Sequence, residues 1–90
     1  MDDRLIKRMI VGKTKELVEE HGLMVDYELA FAHYLAGEWE SYSNTMTKME
    51  AAFHKDFGYY DADMAHAAYQ MRNLIHNAIV WEAEKLKGGE

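Results

Sequence analysis

Ninety residues without cysteine or proline, carrying a net charge of −6, make one small domain whose own core is marginal. That composition excludes disulfides and thiolate metal sites. It also makes the chain a poor non-specific ligand for nucleic acid or an anionic membrane.

The charge is unevenly spread. Arg4, Lys7, Arg8, Lys13 and Lys15 give residues 1–15 a net +3, whereas residues 16–63 sum to −9 and residues 64–90 to zero. Proline-free and rich in Ala, Leu, Met, Glu and Lys, the sequence predicts an all-α fold. No apolar run reaches the roughly 18 residues of a membrane span. The acidic start Met1-Asp2-Asp3 does not read as a secretory signal, so a cytoplasmic protein is expected.

A first helix is predicted over residues 3–21. Asp2 or Asp3 caps it, and His21-Gly22 stops it. Ile6, Met9, Ile10, Leu17 and Val18 form its expected buried stripe. Gly12 would permit close helix approach or a slight bend. Basic residues crowd the first half and Glu16, Glu19 and Glu20 the second, which opposes the helix dipole.

Asp26 is the expected N-cap of a second, long helix over residues 27–56, roughly 45 Å in length. Its signal is a seam with spacings of four, three, four, three and four: Leu35, Trp39, Tyr42, Met46, Met49 and Phe53. Such an a/d alternation lays one narrow stripe on a neighbouring helix. Gly37 and the stretch Ser41–Thr47 weaken the helix, and Thr47 with Glu50 resembles a capping box. A break near residues 43–46 is the alternative.

Asp56-Phe57-Gly58 reads as a stop. Asp61 or Asp63 then caps a third helix to about Lys87, with an apolar set of Met64, Ala67, Ala68, Met71, Leu74, Ile75, Ala78, Ile79 and Trp81. The expected architecture is thus a single helical domain, 1–90, in a three-helix up-down-up arrangement with a long central helix. The overhang of that helix would carry Tyr42, Met46, Met49 and Phe53. Covering it calls for a second copy, so a homodimeric bundle or larger oligomer is expected.

Chemistry is sparse. His54, Asp56, Asp61, Asp63, His66 and His76 offer metal-type ligands, but their spacings fit helix caps and surface positions better than a convergent site. The stretch Arg72-Asn73-Leu74-Ile75-His76 resembles the R-N-x-x-x-H core of HEPN-family ribonucleases. The resemblance covers five residues and implies an RNA-cleaving arginine and histidine on one helix. The interval is three residues here and four to six in the family. Read from the helix alone, Arg72 and His76 are a structural pair one turn apart. There is no glycine-framed serine elbow, and the six glycines are dispersed.

Two surfaces stand out instead. His66, Gln70, Asn73 and Asn77 form an uncharged polar stripe, and Arg4, Arg8 and Lys15 form a basic ridge. Both are candidate partner-binding surfaces. The aromatic residues are also too many for one small core. The expectation is an acidic interaction module without enzyme activity, cofactor or metal. It would self-associate through the seam and bind a protein partner as inhibitor, adaptor or assembly component, in the style of a phage host-takeover or anti-defence factor. Glu19, Glu20, Glu38, Glu40 and Glu50 would stand in for phosphates if it competed for a nucleic-acid groove. Nucleic acid itself is not expected as a partner. The alternative is a metal-dependent or HEPN-like nuclease using His66, Arg72 and His76.

Overall fold

The computed structural model describes residues 2–57 and 62–88, the Met64 side chain excepted. Their regular structure is entirely helical: α1 Asp3–Glu20, α2 Met24–Ala36, α3 Trp39–Phe57 and α4 Ala62–Gly88. The expected three helices are therefore four, because the long central helix is two. Gly37 makes the break. It takes a left-handed backbone (φ 74°) that closes α2, a conformation open to glycine at little cost. The Glu38 amide donates to the His33 carbonyl at 2.9 Å, and the Glu38 carbonyl accepts the Tyr42 amide at 2.9 Å. One residue thus ends one helix and begins the next. Ser41–Thr47, the suspected break, stays helical. Thr45 returns its hydroxyl to the Ser41 carbonyl at 2.9 Å.

Other boundaries follow local chemistry. The Asp2 carboxylate accepts the Arg4 amide at 3.0 Å and caps α1. Gly22, at φ 71°, turns the chain after Glu20, and the Leu23 amide reaches back to the Val18 carbonyl at 2.9 Å. Asp26 does not cap α2. It lies in the first turn, behind Leu23, with Lys48 of α3 at 3.5 Å. Asp63 sits in the first turn of α4. Gly58, Asp61 and Gly89, expected at helix ends, lie outside the described residues, as do Tyr59 and Tyr60.

The helices form a flat body of 44 × 33 × 19 Å, about two helix layers thick. One core joins them: Val18, Leu23, Tyr27 and Ala30 meet Met46, Met49 and Phe53 of α3 and Ala68, Met71, Ile75, Ala78 and Ile79 of α4. The seam phase holds inside α3, where Met46, Met49 and Phe53 are fully buried. The bend at Gly37 lets this one chain cover them, so they need no second copy. Of the expected self-association residues, Leu35 and Trp39 remain exposed and Tyr42 is half-buried.

α1 departs further from expectation. Val18 is buried with Thr14, whose hydroxyl donates to the Ile10 carbonyl at 2.7 Å. Ile6, Met9 and Leu17 are exposed. α1 seats the edge carrying Val11, Thr14 and Val18; of the predicted stripe Val18 is buried and Ile10 half-buried. Gly12 mediates no close approach, since a Cβ built there would meet nothing within 4 Å.

Candidate functional site

Arg72 and His76 lie along the α3–α4 interface, and each is engaged there. The Arg72 guanidinium donates to Glu50 at 2.9 Å and to the Thr47 hydroxyl at 3.2 Å. The supposed capping-box pair, Thr47 and Glu50, is instead the receptor for this arginine. His54 stands one turn further on, its Nε2 3.6 Å from the second Glu50 oxygen. His76 Nδ1 meets the Tyr42 hydroxyl at 2.5 Å. Burial first, and then Tyr34, push the Tyr42 hydroxyl up to about 12, against a partial pull downward from Arg72. Tyr42 therefore stays protonated near neutrality. It donates to Nδ1 when that nitrogen is unprotonated and accepts from it when Nδ1 carries a proton. Tyr34 packs on Trp39, Tyr42 and His76. This assembly ties α2, α3 and α4 together through hydrogen bonds and ring contacts.

The remaining His and Asp candidates do not converge. His21 pairs with Asp56 at 2.7 Å, across the α1–α3 end of the body. His66 stacks on Tyr69. Among the described residues, no group of three or more His, Asp or Glu could hold a metal ion.

The basic ridge divides. Lys15 turns inward, 3.6 Å from Glu82 and over the Tyr27 ring. Tyr27 donates its hydroxyl to the same Glu82 at 2.7 Å. Burial first, then Glu82, drive its ionisation well above the usual tyrosine range. Lys15, Tyr27 and Glu82 thus link α1, α2 and α4. Arg4 and Arg8 stay at the surface and, with Lys7, line an 880 Å³ cleft against the C-terminal end of α4. No sequence signal announced this cleft, because its walls come from opposite ends of the chain.

His66, Gln70, Asn73 and Asn77 all lie on the exposed face of α4. Gln70, Asn73 and Asn77 edge a shallow depression with Leu74. Glu19, Glu20, Glu38 and Glu40 are exposed, whereas Glu50 is half-buried on Arg72 and leaves the set of surface acids.

At the α2–α3 corner, Trp39 is 60% exposed and Leu35 38%. The Tyr34 ring meets the Trp39 indole edge-on, with centroids 5.4 Å apart. Glu38 and Glu40, both exposed, flank Trp39 in the sequence, and Glu38 is held by His33 at 2.9 Å. The result is an apolar knob on a fixed turn with two acidic sequence neighbours.

Compared with protein-family models, with curated proteins and with solved structures, the chain has no match in any of the three.

Proposed function

We propose that the protein is a small acidic interaction module that self-associates and binds a protein partner through its α2–α3 corner. One observation carries this reading: Trp39 is exposed while its neighbours Tyr34 and Gly37 fix its position. A large ring presented on a rigid support loses little conformational freedom on binding, and Trp is enriched among residues that dominate interface energy. Leu35 adds apolar area beside it. The exposed neighbours Glu38 and Glu40 favour a socket with a basic rim. Binding there would make the protein an inhibitor, adaptor or assembly component, as the spare chemistry of the rest of the chain suggests.

The test is sedimentation velocity at micromolar concentration, with the wild type beside the double variant Leu35→Ser, Trp39→Ser. The wild type is expected to sediment as more than one chain, and the variant as one chain with an unchanged helical signal. A wild type that stays monomeric, or a variant that associates equally well, removes self-association at this corner.

A further inference from the structure

We propose that the cleft between the first half of α1 and the end of α4 is a binding site for a small phosphorylated aromatic ligand of the mononucleotide class. The volume is suitable: about 880 Å³, within the usual range for small-molecule sites. Its floor and walls include Val11, Phe31 and Trp81, and its basic lining is Arg4, Lys7, Arg8 and Lys85.

The charge pattern points to an anion. In a protein of net −6, cations have abundant acids to pair with, yet among the described residues Arg8 and Lys85 make no ion pair. Lys7 lies over the Trp81 ring, 5.7 Å from its centroid, and among the described residues makes no ion pair. One lining acid, Glu82, is already held by Tyr27 and Lys15, which among the described lining residues leaves Glu84 as the opposing charge. Asp2, which caps α1, also pairs with Arg4 at 3.7 Å, so the uncompensated cations of the cleft are Lys7, Arg8 and Lys85. A phosphate in the cleft supplies the counter-charge that these three cations lack.

The aromatic component follows from Trp81. Its half-buried indole is a stacking surface, and stacking on an aromatic side chain accepts any flat heterocycle. The Lys7 ammonium over that ring is a flexible occupant. A base that displaces it leaves Lys7 beside the phosphate. A long polyanion fits less well, since the flanking surface of residues 16–57 is acidic and repels it.

The chain has two tryptophans, so proton–nitrogen correlation spectra of the intact protein carry two indole signals, assigned with Trp81→Phe. Titration with adenosine monophosphate is expected to move the Trp81 signal saturably and leave the Trp39 signal in place. Adenosine alone and inorganic phosphate alone should each bind at least about tenfold more weakly, a difference of roughly 1.4 kcal/mol. The double variant Arg8→Gln, Lys85→Gln should lose about tenfold or more in affinity for the nucleotide, with an unchanged melting temperature. Absence of a saturable shift at Trp81 overturns the proposal. So does phosphate binding as tight as the nucleotide's, tighter binding of a single-stranded oligonucleotide, or nucleotide affinity that survives the double variant. Trp39 reports separately on the α2–α3 corner, so the two surfaces stand or fall independently.

Discussion

The α3–α4 half of the molecule and the first three turns of α1 carry bulky apolar residues at similar helical spacing, yet they use them differently. Met46, Met49 and Phe53 are almost wholly buried, whereas Leu5, Ile6 and Met9 are 44%, 37% and 59% exposed. The difference lies in the facing surface. α4 is 27 residues long, roughly 40 Å at 1.5 Å per residue. It offers alanines at Ala68 and Ala78, where another backbone can come close. Arg72 and His76 reach α3 from one stretch of it, and Glu82 holds α1 further along. Beyond that hold, the start of α1 and the end of α4 line the cleft. Apolar periodicity therefore records a capacity for burial, and the partner surface decides whether it is used.

The largest effect that tests this contrast is at Phe53. Its ring is fully buried and contacts His21 and Phe57 edge-on or tilted. Phe53→Ala is expected to cost about 3–5 kcal/mol of stability, through lost transfer energy and the cavity left behind. Leu5→Ala, on the open part of α1, should change stability by about 0.5 kcal/mol or less. Urea denaturation of the two variants beside the wild type measures both. Equal losses would mean that the two regions are packed alike.

A smaller effect separates the regions by pH. Tyr42 ionises at 10.0 in the ordinary state and is held up to about 12 in the folded protein. Folding therefore favours the protonated hydroxyl. Its contribution is fully present below pH 10 and is lost as pH rises through about 12, because the unfolded chain gives up that proton first. Tyr27 acts in the same direction, with burial again the leading cause. The first half of α1 holds no tyrosine. Melting temperatures measured across that window should fall in the wild type and fall less steeply in Tyr42→Phe. An identical slope in the variant would show that the hydroxyl is not held in its protonated form by the fold.

How far the sequence disclosed this structure depends on how local each cause is. The end of α1 was legible because a left-handed glycine follows it. Gly37 was equally visible but was outweighed by the seam, for a geometric reason. Leu35 and Trp39 are four residues apart whether the backbone between them is helical or turns, so the seam's first interval cannot report the break. The phase from Trp39 to Phe53 was read correctly because it lies within one helix. Arg72 and His76 were legible as a pair one turn apart. Their partners Glu50 and Tyr42 were not, since those contacts span 22 and 34 residues. Lys15 looked like part of a surface ridge for the same reason, as its acid is Glu82 of α4. The cleft is the extreme case, since Arg4 and Lys85 come to line it only after both helices have docked.

The mildest change, Gly12→Ala, sharpens the contrast most finely. Gly12 is exposed within α1, and a methyl group there meets nothing within 4 Å. Packing therefore contributes nothing to the outcome, and the backbone term stands alone. Alanine is favoured over glycine in an exposed helix interior by up to about 1 kcal/mol, chiefly by restricting the unfolded chain. If α1 unfolds together with the core, the gain appears in the global transition as a melting temperature higher by a few degrees. If the weakly packed first turns open on their own, the same substitution leaves the midpoint unchanged. It then slows hydrogen exchange at the amides preceding residue 12 by up to about fivefold. Exposure of Leu5, Ile6 and Met9, with no core side chain among them, favours the second result. A rise in melting temperature without added local protection would instead make α1 one cooperative unit with α3 and α4. The apolar side chains of its first turns would then owe their order to Val11, Thr14 and Val18 further along the helix.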